Sequence, residues 1–289
     1  MTAQSDTGWL VRVAMKHPRE AFISQASIDA QWRALNFLAP PDFQRACEEF
    51  DALALLLEDA GAAIDLLPGD PRTGLDSIYA RDASLPTSHG VILCSMGKAL
   101  RTGEPEAQGD AFSQRGLSRL GSIQPPGTVE GGDLAWLDER TLAVGHGYRT
   151  NADGIDQLRA LLGDAIDELI VVPLPHWRGA SDVMHLMSLV SPVDSGLVLI
   201  YSPLLPVPFR TALLDRGFSL VEVPDEEFES MGANVLAIAP RKVVALSGNT
   251  RTRAALEAVG VEVLEYKGTE ISVKGAGGPT CLTRPLMRG

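Results

Sequence analysis

The chain has 289 residues, 45% of them hydrophobic, which suffices for a sizeable core, and its 25 basic and 37 acidic residues give a net charge of −12. That balance, with no basic stripe, excludes a nucleic-acid backbone as partner, and no run approaches the ~18–20 apolar residues of a membrane-spanning helix. The opening Met1-Thr2-Ala3-Gln4-Ser5-Asp6 lacks the basic and apolar regions of a secretory signal, and three scattered cysteines (Cys47, Cys94 and Cys281) make neither a disulfide framework nor a C-x-x-C metal site, so the expected setting is soluble, reduced and cytoplasmic.

In chain order, the pattern predicts a strand over 9–15, a helix over 42–59 and a strand over 62–67. A hairpin follows over 78–85 and 90–95, then a helix within 104–120. Residues 133–137 and 141–145 flank the polar turn Asp138-Glu139-Arg140 and read as a second hairpin. The helix after it, over 151–162, keeps Ile155, Leu158, Leu161 and Leu162 at helical spacing and stops at Gly163. A buried-type strand over 169–173 completes the unit. The order then recurs: a hairpin over 185–192 and 195–201, a helix over 207–215 ending at Gly217, and a strand over 219–223. It recurs again as a hairpin over 234–240 and 242–246, a helix capped by Asn249-Thr250 and ended by Gly260, and a strand over 261–264.

Some five copies of hairpin, helix and strand form an internal repeat. One such unit is too small to bury its own apolar face, so the copies must pack around a common centre. A doubly wound parallel sheet would use similar elements, but the hairpins demand antiparallel pairs in every unit, and no G-x-G-x-x-G follows a strand. The expectation is a single α/β domain spanning 1–289, closed into a ring.

Four segments carry chemistry. Asp76 and Asp82 lie in Leu75-Asp76-Ser77-Ile78-Tyr79-Ala80-Arg81-Asp82. Glu130-Gly131-Gly132-Asp133 brings two more carboxylates, Met184-His185-Leu186 a histidine, and Gly277-Gly278-Pro279-Thr280-Cys281 a thiol. Singly, each has an ordinary structural explanation: a capping carboxylate, a tight glycine turn, a core histidine, a buried cysteine. Together, one residue from each of four modules is how a scaffold positions a site. Cys47 and Cys94 read as buried hydrophobes.

This ordered set, running from Arg12-Val13-Ala14-Met15-Lys16-His17-Pro18 to Cys281, resembles the guanidine-modifying superfamily with the pentein fold, a five-bladed α/β propeller. Within it the chain is most similar to the dimethylarginine dimethylaminohydrolases. The resemblance implies Cys281 as nucleophile, His185 as general acid and base, and Asp82 and Glu130 as carboxylates that hold the guanidinium. It further implies Asp76 and Asp133 as polar contacts and Arg101 and Arg149 as partners of the substrate carboxylate. The implied reaction turns Nω-methylated arginine into citrulline and an amine, with a small guanidino molecule as partner. It uses no metal or organic cofactor and is compatible with a homodimer. Arginine deiminase, amidinotransferase, hydrolase of another guanidine and a silent binding module of the same ring are the alternatives. Arg81 before Asp82 is more reminiscent of the deiminase and amidinotransferase branches, and 175–180 reads as a rim loop; both are expected to bear on substrate choice.

Overall fold

A computed structural model describes residues 1–180 and 184–289. The first module runs from β1 (Leu10–Met15) through α1 (Pro18–Ala21), α2 (Gln25–Gln31) and α3 (Phe43–Asp59) to β2 (Ala63–Leu66). The second has β3 (Ser84–Thr87), β4 (Gly90–Leu93), α4 (Glu104–Gln114) and β5 (Arg119–Ser122). The third has β6 (Leu134–Trp136), β7 (Thr141–His146), α5 (Ala152–Leu162) and β8 (Glu168–Pro173). The fourth has β9 (Val190–Asp194), β10 (Leu197–Ile200), α6 (Val207–Asp215) and β11 (Ser219–Glu222), followed by α7 (Asp225–Phe228). The fifth has β12 (Leu236–Ala239), β13 (Lys242–Leu246), α8 (Thr250–Ala258) and β14 (Glu262–Tyr266), and β15 (Arg284–Arg288) ends the chain.

Each module makes a three-stranded sheet whose first pair is antiparallel and whose second pair is parallel across the helix. The first module lacks its own antiparallel partner. β15 supplies it, pairing Leu10 with Arg288 and Ala14 with Arg284. The chain's last strand thereby completes its first sheet. Neighbouring sheets meet through their inner strands: β15 against β3, β6 against β9, and β9 and β1 against β12. The second and third sheets join through Ser95 and Val129 and through Gly131 N donating to Asp82 O at 2.9 Å. These contacts close the ring, with β15, β3, β6, β9 and β12 around its axis. The expected closed repeat of five modules is therefore the architecture. The helices lie outside the ring with their apolar faces turned in against the sheets, as on α3, where Ala46, Phe50, Leu53 and Leu57 are fully buried.

Most expected elements are present within a residue or two, but three strand starts differ. Asp82, His185 and Cys281, expected on or at the opening of strands, all lie in turns before them. The chain from His185 makes a short 3₁₀ turn, Leu186–Ser188, and β9 starts only at Val190. The reason is a competing bond: Asp133 Oδ1 accepts Leu186 N at 3.0 Å, pulling that backbone out of ladder geometry. Asn249 also differs from expectation. Its side chain bonds Ser230 and Leu246 O and does not cap α8, whose Arg251 and Thr252 N–H groups go to the buried carboxylate of Glu227 at 2.8 and 2.7 Å. The helices α1, α2 and α7 were not anticipated from the pattern.

The N-terminal segment runs across one end of the ring. Gln4 donates to Glu139 O and Ala165 O and accepts from Ser88, and Thr2 pairs with Arg288. No described helix is long and apolar enough to cross a membrane.

Because Glu227 replaces the usual side-chain cap, Glu227→Ala is expected to lower stability by about 1–2 kcal/mol, as a lost N-cap does. Urea unfolding of the variant beside the wild type checks this.

Candidate active site

All five inner strands are entered from the same end of the ring, and the segment before each one carries a polar residue. Asp82 precedes β3, Glu130 and Asp133 precede β6, His185 precedes β9, Asn234 precedes β12, and Cys281 precedes β15. The first three carboxylates and His185 are buried, and Cys281 is half-buried. Of these, Asn234 was missed in the sequence. Its Nδ2 lies 3.6 Å from Cys281 Sγ, while its Oδ1 accepts Thr280 N at 3.1 Å and Thr280 Oγ1 at 2.7 Å. The signal was positional: it holds in the fifth module the place that the other site residues hold in theirs.

His185 is the electrostatic centre. Its Nε2 lies 2.7 Å from Glu130 Oε2, and its Nδ1 lies 3.9 Å from Asp82 Oδ1. Burial disfavours the imidazolium, but the charges of Asp82, Asp133 and Glu130 outweigh it and raise the pKa to about 9. Glu130 is held down at about 2: burial pushes it up, and the His185 hydrogen bond and charge, with Arg101 and Arg149, more than reverse that. The second oxygen of Glu130 accepts Gly97 N at 2.9 Å and Lys98 N at 3.2 Å. Asp133 takes Thr150 Oγ1 at 2.6 Å as well as Leu186 N, and burial raises it to about 6. Gly132 donates to Asp82 Oδ1 at 3.0 Å, and a Cβ there would collide with the His185 ring and with that oxygen. Only glycine allows this approach.

The thiol of Cys281 is pushed up to about 11, first by burial and then by the Asp82 charge. It is therefore neutral at rest. The donor atoms of Asp82, Glu130 and His185 lie within 4.8 Å of one another, a spacing a metal could use. An imidazolium offers no lone pair, however, so at neutral pH this cluster is an ion-pair network.

The expected substrate contacts divide. Asp76 pairs with Lys98 Nζ at 2.6 Å. Arg101 is buried and spends its guanidinium on the protein: Nη1 on Asp82 at 2.6 Å, Nε and Nη2 on Glu104, and Nη2 on Asp76 O and Tyr79 O. In this structure its partners are protein groups in place of the substrate carboxylate that the family resemblance implied. Arg149 makes one long contact, 3.4 Å, to Glu130 Oε1, and borders a recess under the rim loop. Arg81 points away from the site altogether, to Asp6 at 2.7 Å, so its place beside Asp82 does not bring it to the substrate.

Cys281 opens into a cavity of about 120 Å³ lined also by Leu38, Met184, Phe228, Met231 and Asn234. Trp177 and Arg178 of the rim loop form its edge, with the Arg178 guanidinium 4.1 Å over the Trp177 ring and paired with Glu229 at 2.5 Å.

The eukaryotic family model described as N,N dimethylarginine dimethylhydrolase matches residues 23–288. The chain belongs to that family. It is 29% identical over 246 residues to N(G),N(G)-dimethylarginine dimethylaminohydrolase of Pseudomonas aeruginosa, covering 85% of this chain and 90% of that one. It is 30% identical over 255 residues to an arginine deiminase of Rhodococcus jostii, covering 76% of this chain but 61% of the deiminase. Among solved structures, a mutant of the P. aeruginosa dimethylarginine dimethylaminohydrolase complexed with citrulline superposes with a TM-score of 0.77 at 26% identity, covering 95% and 98% of the two chains. The N-terminal domain of a cyanobacterial arginine dihydrolase, at 20% identity and a TM-score of 0.80, shares the fold. This family member is accordingly a pentein and a C–N hydrolase by its kinship.

The two opposed shifts fix the sign of a pH effect. His185 binds its proton more tightly folded than unfolded, so its contribution is complete below about 6.5 and fades as pH rises toward about 9. Urea midpoints should fall across that window. In Glu130→Gln, which removes one of the three carboxylate charges around His185, the fall should shrink and the His185 NMR titration should move to lower pH.

Proposed function

We propose that the protein hydrolyses Nω-methylated arginine to citrulline and methylamine or dimethylamine through a covalent intermediate on Cys281. The observation that carries this is the gathering, at one end of the ring, of a cavity-facing thiol with an imidazolium and paired carboxylates, in a chain whose family model spans nearly its whole length. Citrulline, found bound to the P. aeruginosa relative, fits as product.

The chemistry follows from the charges. A guanidinium is planar, permanently cationic and rich in donors, so buried carboxylates grip it and fix its plane. Asp82, and Asp76 once Lys98 yields it, serve as these acceptors, and Arg101 locks Asp82 in place. Burial and the Asp82 charge keep Cys281 protonated, and the entering cation offsets that charge; the thiol proton leaves to solvent and the thiolate attacks the central carbon. His185, already an imidazolium, protonates the departing amine, which could not leave as an amide anion. The C–N bond breaks and a thiouronium remains on Cys281. Neutral His185 then takes a proton from water, hydroxide adds to the same carbon, and the thiolate is expelled as the ureido product forms. Arg149 binds the carboxylate of the amino-acid end; Glu130 keeps His185 oriented and charged.

Cys281→Ser should abolish citrulline formation, and His185→Ala should lower kcat by roughly 10²–10⁴-fold with the circular-dichroism spectrum unchanged. Surviving turnover in Cys281→Ser would refute the covalent route. Asymmetric dimethylarginine, monomethylarginine and arginine, assayed in parallel for citrulline and released amine, separate the readings: the two methylated substrates should react and arginine should not. Reaction with arginine alone would make the protein a deiminase.

A further inference from the structure

Below the active site, on the ring axis, lies a second charged cluster that the hydrolytic reaction does not use. Three arginines converge there: Arg81 from the turn before β3, and Arg284 and Arg288 from β15, all buried. They meet one carboxylate, Asp6, delivered by the N-terminal segment. Asp6 Oδ1 accepts Arg81 Nη2 at 2.7 Å, and its Oδ2 accepts Trp136 N from β6 at 2.8 Å. Arg284 gives Nη2 to Arg81 O at 2.9 Å, and Arg288 gives Nη1 to Ala237 O on β12 at 2.9 Å.

The remaining donors are unspent. Arg81 Nε and Nη1, Arg284 Nε, and Arg288 Nε and Nη2 are all shielded from solvent and have no hydrogen-bond partner among the described residues. Asp82 also acts on Arg284 but is already paired with Arg101, so three guanidiniums share Asp6 and keep a buried positive excess, which carbonyl bonds do not neutralise. Unpaired cations in such a place are strongly disfavoured. Burial and the Arg81 charge accordingly depress Arg284 to about 9 and, with Asp6 opposing, Arg288 to about 10.

We propose that the axis of the ring binds a small monovalent anion of the halide class, chloride in the cell, held by the free N–H groups of Arg81 and Arg288 with Arg284 adjacent. A spherical anion accepts donors from several directions, as groups converging from different modules require, and it supplies the charge that Asp6 alone does not. The site ties β15 to the turn before β3 and to β12, so the anion reinforces ring closure and acts on the stability of the fold.

The test is a crystal of the full chain grown without halide and soaked in sodium bromide, read by anomalous diffraction, together with melting temperatures in sodium chloride and sodium gluconate at equal ionic strength. An anomalous peak within contact of Arg81 and Arg288, and a melting temperature that climbs steadily with each tenfold rise in chloride but stays flat in gluconate, are the expected results. The dependence should vanish in Arg288→Met; if that variant fails to fold, the wild-type bromide and chloride data decide. Water without anomalous signal would overturn the proposal. So would a bromide peak with no chloride dependence of stability, which would mark an adventitious ion only.

Discussion

The antiparallel pairing of β15 with β1 is the constraint on which everything else rests. It joins the two ends of the chain in one sheet and turns an open row of modules into a ring. Only in a closed ring do the five strand entrances face one another across an axis, and only then do single residues from five distant segments share a site. A fold whose repeats contributed nothing but packing would need no such closure. Here the closing strand also follows Cys281 and brings in two arginines, so the ring and the candidate site depend on the same ladder of hydrogen bonds.

Within the ring, charge is handled by pairing groups from different segments. Asp82 is held by Arg101, Glu130 by His185, Asp76 by Lys98 and Asp6 by Arg81. Buried pairs of this kind are costly to break because each partner would be left alone in a poor solvent. Of these, the pairs at Asp82 and Glu130 hold their carboxylates in place before substrate arrives. The thiol is the exception: burial, and after it the Asp82 charge, keeps Cys281 protonated. The resting thiol is thereby spared the reactivity of a standing thiolate.

Much of this was legible in the sequence, and the limits have physical causes. The modular repeat and the helices α3, α5, α6 and α8 follow from periodicity, while the family resemblance marked Asp82, Glu130, His185 and Cys281, which lie at the same end of the ring. Strand starts at the site end did not, because long-range bonds such as Asp133 to Leu186 N override local propensity there. Nor could the sequence say where an arginine points. Arg81 and Arg101 occupy motif-like places, yet one turns to the ring axis and the other to Glu104 and Asp82, as their three-dimensional neighbours dictate. Asn234 carried no motif; only its equivalence to the other strand entrances marks it.

The order of the modules has a consequence for biosynthesis. A growing chain presents its carboxylates and His185 long before Cys281 and β15 emerge, so the earlier modules must wait, unclosed, for the last strand to be released. The carboxylates come first along the chain and the Cys281 thiol follows them. During translation the ring therefore stays open until β15 pairs with β1, and Cys281 reaches its place beside the other strand entrances in the same step.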